Sequence, residues 1–447
     1  MENDVIYLKK DILFLEVKQM SKICELKKQI ANGEHDGVFK RLYGSTDAII
    51  TYQRTRYTEA LEAFEKLYPE ISEVSIFSAS GRTEVCGNHT DHNFGKTLAA
   101  GIDLDVIGVA AKSETKLEVQ SKGFKPDILT IDNISYCKEE ENSAKALVKG
   151  VCNGFKERGY QYGGFVAYTT SNVLKGSGVS SSAAFEVLLC TILNHFYNDG
   201  KVDAVTVAQI AQFAENKYFG KPCGLLDQTA SSVGGFITMD FADPTKPVIE
   251  KIDFDFAASG HALCIVDTGG SHADLTGEYA AIPAEMKEIA SFFSLPVLRG
   301  LDRERIVKNA KELREKFGDR AVLRALHFVD ENERVDAQAK ALKAGDFESF
   351  LEVTKKSGRS SFMYLQNVYT SLNTAEQGLS LALCITDGFL GERGAYRVHG
   401  GGFGGTIQAF VPVDMLKEYK ETINSVFGAD ACKVLNIRAD GGIIAIA

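Results

Sequence analysis

The sequence predicts an α+β protein of two domains, and three observations carry that expectation. The chain of 447 residues is long enough to outgrow a single hydrophobic core. Short alternating segments gather in its first half, whereas a long, mainly helical stretch runs from Glu278 to about Leu390 before strands return. Between the two, Asp243-Pro244-Thr245-Lys246-Pro247 reads as a turn, which divides the chain near residue 250 into segments 20–250 and 251–447.

Taken in order, Met20 to about Leu67 is charged and helix-periodic, expected as a peripheral helical arm rather than a core. Val74-Ser75-Ile76-Phe77-Ser78 alternates as a strand does and leads into Gly81. Leu104 to Ala110, Lys116 to Val119 and Gly164 to Thr170 continue the sheet. From Ser182 to about Tyr197 the pattern turns helical. A second helix, about Asp203 to Tyr218, places Val207, Ile210, Ala211 and Ala214 on or near one face. Ala262 to Val266 and Ile407 to Val411 are the strands expected after residue 250.

Hydrophobic content of 45% and charged content of 25% are ordinary for a soluble globular chain. A net charge of -10 with no basic stripe argues against a nucleic-acid partner. Nine scattered cysteines with no Cys-x-x-Cys pair fit reduced thiols in the cytoplasm better than disulfides or a zinc site. No apolar run reaches membrane-spanning length, so no membrane partner is expected. Met1 to Gln19 lacks a secretory cleavage site. Leu15-Glu16-Val17-Lys18-Gln19 could be encoded by a purine-rich stretch of the kind that precedes a bacterial start, so Met20 is the expected first residue.

Three polar or glycine-rich segments stand out. In Lys175-Gly176-Ser177-Gly178-Val179-Ser180-Ser181-Ser182-Ala183-Ala184 the glycines let backbone pass close to an anion. The serines offer hydroxyls, and their amides lie at the positive end of the following helix. The same composition suits a flexible linker, but the mostly apolar run Ala183 to Leu189 can pack the helix firmly. No Gly-Lys-Ser/Thr follows, so the loop is not Walker-type, and the spacing is not that of a dinucleotide site. Gly81-Arg82-Thr83-Glu84-Val85-Cys86-Gly87-Asn88-His89-Thr90-Asp91-His92-Asn93 concentrates donors and acceptors of the sort a polyhydroxylated ligand needs. His89 and His92 alone make a poor metal pair. Asp227, in Gly220-Lys221-Pro222-Cys223-Gly224-Leu225-Leu226-Asp227-Gln228, suits a helix cap when read in isolation.

Together these segments resemble the GHMP kinases, and the Gly81–Asn93 stretch resembles galactokinases in particular. By motif order the resemblance spans about residues 40 to 447. It implies a two-domain kinase fold: an amino-terminal lobe like ribosomal protein S5 domain 2, a ferredoxin-like α+β carboxy-terminal lobe, and the active site between them. It implies an ATP- and magnesium-dependent sugar 1-kinase that forms galactose 1-phosphate and exists as a monomer or weak oligomer. Gly176, Ser177, Gly178, Ser180, Ser181, Ser182 and Ala183 would hold the triphosphate, with Ser181 and Glu215 on magnesium. Asp227 would be the base and Arg82 its cationic partner. Asn88, His89, Asp91, Gly224 and Tyr279 would hold the sugar.

Gly400-Gly401-Gly402-Phe403-Gly404-Gly405 matches the third motif of the superfamily, with a structural role expected: backbone passing close to the serine loop and substrate. Four departures from the family pattern are visible. Leu174-Lys175 replaces a proline, Thr406 a frequent cysteine, and Ala280-Ala281-Ile282-Pro283 the arginines that usually follow the tyrosine. Asn88 stands where galactokinases carry glutamate, which keeps a galacturonate-like substrate open as the alternative. Thr90 matches the galactose-type motif rather than that of N-acetylgalactosamine kinases. A silent sugar sensor is the other alternative; such relatives are shortened within the serine-alanine run, which is intact here.

Overall fold

The computed structural model describes residues 21–173, 179–270 and 275–447. Met1 to Gln19, the Met20 start, Gly176, Ser177 and Gly178 lie outside the described residues. Two sheets organise the chain. Among the described residues the larger has nine strands, built on a central antiparallel pair, Glu73–Cys86 with Lys96–Ser113. Beyond that pair come Gly164–Ser171, then Lys116–Ser121 in parallel with it, then Asp127–Thr130. Phe236–Asp240 adds to the far end of Lys96–Ser113 and carries Val248–Ile252. The smaller sheet is antiparallel, in the order Ala395–His399, Thr406–Pro412, His261–Asp267, Cys432–Leu435.

Both faces of the larger sheet carry apolar residues, and each finds an apolar cover. On one side Phe77, Leu98, Val106 and Ala167 pack with Val187, Leu188, Ile192 and Ile210 of the helices Ser181–Asn198 and Ala204–Ala214. On the other, Ile76, Ile107, Val109 and Val166 meet the helices Ile23–Asn32, Asp36–Tyr43 and Asp47–Leu67. The segment expected as a peripheral arm is therefore a full layer of the fold: Leu26, Phe39, Tyr57, Leu61 and Phe64 are all 0% exposed. The charged faces that suggested an arm are the solvent sides of amphipathic helices.

The first core continues into the smaller sheet through Leu263, Ile265, Phe350 and Phe410. Phe254 stacks on Phe347 at 5.8 Å and 10°, and Phe350 meets Phe410 edge-on at 5.1 Å, an aromatic bridge between the two sheets. The chain end returns to the first sheet, where Ile443–Ile446 pairs with Glu73–Cys86. Just before it, Arg438 is buried and donates to Ser78 Oγ and Asp105 Oδ2.

Candidate active site

The strand Glu73–Cys86 delivers Arg82 to a point where the serine segment, the helix Leu226–Val233 and the smaller sheet converge. Gly81 makes this approach possible: a Cβ there would sit 3.0 Å from the Val179 carbonyl and 3.2 Å from that of Leu104. Arg82 N instead donates to Val179 O at 3.2 Å, fastening the serine segment to the strand.

Arg82 then reaches Asp227, in the first turn of Leu226–Val233, with Nε to Oδ1 at 2.7 Å and Nη2 to Oδ2 at 2.8 Å. Ser180, held at φ 58 before the helix Ser181–Asn198, donates Oγ to Asp227 Oδ2 at 2.6 Å. Burial alone pushes the Asp227 carboxyl up, but Arg82, Ser180 and Lys221 outweigh it and leave the group below the ordinary aspartate value. The Asp227 side chain keeps 34% of its surface exposed, so it faces the cleft while its partners hold it.

Glu215 lies where the helix Ala204–Ala214 widens into a π-type turn, Glu215–Phe219, a distortion that recurs at functional sites. It is nearly buried and accepts from Ser182 Oγ at 3.1 Å, Lys221 Nζ at 3.2 Å and Gln228 Nε2 at 2.7 Å. The serine in contact with it is thus Ser182; Ser181 Oγ makes no hydrogen bond among the described residues. Gln228 Nε2 also donates to the fully buried Glu186 at 3.2 Å. Burial, then the nearby charge of Glu215, push the Glu186 carboxyl well up. Neither Gln228 nor Glu186 was singled out in the sequence, because on a helix face each reads as an ordinary polar residue.

The sugar segment and Tyr279 meet the glycine turn at three successive carbonyls. Asn88 Nδ2 donates to Gly400 O at 2.8 Å, His89 Nε2 to Gly401 O at 2.8 Å, and Tyr279 OH to Gly402 O at 2.5 Å. A side chain on Gly401 would collide with the Tyr279 ring, and Gly402 sits at φ 88 over the Asn367 carbonyl. His89 takes φ 59, and burial drives its imidazole down to about 4, so it is neutral at pH 7. Burial raises the Tyr279 phenol to about 12. Asp91 opens the short turn Asp91–Asn93 and lies against Gly224, where any side chain would collide with its carboxylate.

Asn88 is placed differently from the other expected sugar ligands. It is 0% exposed, and both ends of its amide are engaged inside the protein. Nδ2 donates to Glu84 Oε1 at 2.9 Å and to Gly400 O, while Oδ1 accepts from Asn367 Nδ2 at 2.7 Å and Ser361 Oγ at 3.3 Å. Glu84 in turn accepts from the fully buried Arg397, Nη2 to Oε1, at 3.3 Å. Burial pushes the Glu84 carboxyl up, against Arg397, Asn88 and Arg82, which favour its charge. Among the described residues no group of three or more His, Cys, Asp or Glu side chains could hold a metal ion. No helix among them is long and apolar enough to cross a membrane.

Family models, curated relatives and solved structures all match this chain. Residues 62–112 match the galactokinase galactose-binding signature, and residues 146–235 match the GHMP kinases N terminal domain. The galactokinase of Pyrococcus furiosus is 32% identical over 362 residues, which cover 79% of this chain and 93% of that relative. The galactokinase of Streptomyces coelicolor is 29% identical over 378 residues, covering 83% of this chain and 93% of that relative. Among solved structures, Lactococcus lactis galactokinase complexed with galactose superposes with a TM-score of 0.73 at 24% identity, covering 86% of this chain and 99% of that one. Methanococcus jannaschii mevalonate kinase gives 0.58 at 16% identity, covering 81% and 98%.

Proposed function

The chain belongs to the galactokinase family, a group of GHMP-fold sugar kinases, and from that premise we propose that it transfers the terminal phosphoryl group of ATP to the anomeric hydroxyl of galactose. The observation that carries this reading is the two-pronged Arg82–Asp227 pair, with Ser180 on the same carboxylate, at the start of the serine-led helix. In the proposed reaction the anomeric oxygen attacks the terminal phosphorus, the bond from that phosphorus to the bridging oxygen breaks, and ADP leaves. Asp227 accepts the hydroxyl proton.

An aspartate held below its usual value is a weak base. Phosphoryl transfer through a loose transition state needs little early proton abstraction, so Asp227 acts chiefly by orienting the hydroxyl. Arg82 keeps Asp227 ionised and lies close enough to stabilise charge on the transferred group. His89, Asp91 and Tyr279 would present the sugar, and the amides of Ser181, Ser182 and Ala183 would cradle phosphate at the helix end.

Glu215 and the serine hydroxyl beside it form the hard-oxygen donor set that magnesium prefers. By contact that serine is Ser182, and by family resemblance Ser181. Bound there, the ion would neutralise charge on the ATP phosphates. The two lobes, divided near residue 250, would close the site from either side. The test is ATP-dependent turnover on galactose and on galacturonate in parallel, with the product read by phosphorus NMR. Galactose 1-phosphate is the expected product; no phosphorylation of galactose overturns the reading.

A further inference from the structure

Because the side chain of Asn88 is engaged on every polar atom and fully buried, recognition at this end of the site must come from another residue. Arg82 and Glu84 are two apart in a regular stretch of one strand, paired with Gly101 and Ala99, and so point to the same face. That spacing puts Glu84 about 7 Å from Arg82 along the strand, roughly the reach across a pyranose ring from the reacting hydroxyl. Asn88 Nδ2 bridges Glu84 Oε1 and the Gly400 carbonyl, next to the Gly401 carbonyl that His89 reaches. The Glu84 side chain retains 11% exposure. Its Oε1 accepts from both Asn88 and Arg397, whereas Oε2 accepts no hydrogen bond among the described residues.

We propose that Glu84 is the specificity residue of this site: its Oε2 accepts a hydroxyl of the sugar remote from the anomeric centre, and its carboxylate rejects a uronic acid. This rests on the galactose reading above and deepens it. Asn88 and Arg397 hold the Glu84 carboxylate in place, so a hydroxyl meets a preorganised acceptor. A galacturonate carboxylate, at the end of the sugar remote from the anomeric centre, would face the Glu84 carboxylate. The guanidinium groups of Arg82 and Arg397 are each already paired with an acidic side chain, so they offer it little compensation. The replacement of glutamate by asparagine at position 88 therefore leaves a carboxylate in the site, four residues earlier in the chain.

The experiment measures kcat and KM for galactose, galacturonate and ATP in the wild type, Glu84→Gln and Glu84→Asp, with melting temperatures as the control for folding. In Glu84→Gln the galactose KM should rise about tenfold to a hundredfold, the loss expected for one charge-assisted hydrogen bond. The ATP KM should stay unchanged, and the preference for galactose over galacturonate should shrink by about tenfold or more. Glu84→Asp, which keeps the charge but shortens the reach, should raise the galactose KM yet still reject galacturonate. A residue that only shores up the fold would not produce that split, and Glu84→Asp still gives the test if the glutamine variant does not fold. Unchanged galactose KM and selectivity in the folded variants, with a wild type active on galactose, overturn the role of Glu84 alone. A wild type inactive on galactose overturns the functional reading and this inference with it.

Discussion

Arg82 and Asp227, 145 residues apart in the chain, meet as a two-pronged ion pair, with both carboxylate oxygens held at 2.7 and 2.8 Å by one guanidinium. Planar fork-to-fork pairing fixes the aspartate in direction as well as in charge. Ser180 adds a third restraint on Oδ2. The candidate base is thus aimed by two elements that share no local sequence.

Removing the charge while keeping the shape separates catalysis from binding. Asp227→Asn is expected to lower kcat by about a hundredfold or more, the range for loss of a positioned acid–base group. The sugar dissociation constant, measured by calorimetry, should stay within about threefold, because asparagine keeps the shape of the site and loses the orientation of one hydroxyl rather than the other sugar contacts. Arg82→Lys should also lower kcat, since a point charge cannot hold both oxygens. Near-normal turnover in Asp227→Asn would remove Asp227 from the base role.

Ser180→Ala tests the third restraint through pH. The serine favours the ionised form of Asp227, so its removal should move that group's pKa upward, toward the ordinary aspartate value. The active form is the carboxylate, which exists above the pKa. The acid limb of the kcat profile should therefore move to higher pH, with activity at pH 5 falling more than at pH 8. An acid limb that stays in place would show that Ser180 does not tune Asp227.

Glu215→Gln keeps the hydrogen-bonding shape and removes a charge proposed for magnesium. The magnesium concentration for half-maximal turnover should rise about tenfold to a hundredfold, the usual cost of a lost ligand or ligand support. Ser182→Ala should give a smaller rise in the same direction. A magnesium titration that superposes on the wild type would exclude Glu215 as a ligand.

His327 links the sugar segment to the second half of the chain, with Nδ1 to Ser360 Oγ at 2.9 Å and Nε2 to Asn88 O at 3.1 Å. Burial lowers its pKa from the usual 6.5. Below 6.5 the unfolded chain takes up a proton that the folded one refuses, so this histidine removes stability as pH falls through that value. The buried carboxyls of Glu84, Asp103 and Glu186, which are raised, act in the opposite direction, so the effect is read as a difference. The melting temperature of His327→Gln minus that of the wild type should increase from pH 7 to pH 5. A difference independent of pH would mean that His327 does not titrate on unfolding.

The readable parts of this chain were those whose physics is local. Alternation in Val74–Ser78 and Gly164–Thr170, and helical spacing after Ser182, located strands and helices that the structure contains. The helices from residue 23 to 67 were legible as helices. Their importance was not, because helical periodicity shows which face is apolar without showing that a sheet lies beneath it.

The same division runs through the site. Glycines 81 and 224, the glycine-rich turn 400–405, the serine run and Asp227 form short patterns, and pattern was enough to identify the family and nominate the residues. Asn88 marks where that reasoning ends. As a motif position it reads as a sugar ligand, yet its amide is engaged by Glu84, Gly400, Ser361 and Asn367, partners up to 312 residues away. Residue type and spacing thus settled the family, the kinase chemistry and a roster of candidate groups. Which carboxylate is aimed, which is buried and which amide is fully engaged was decided by tertiary packing. Hydrogen-bond saturation, desolvation and charge pairing depend on neighbours that only the fold brings together.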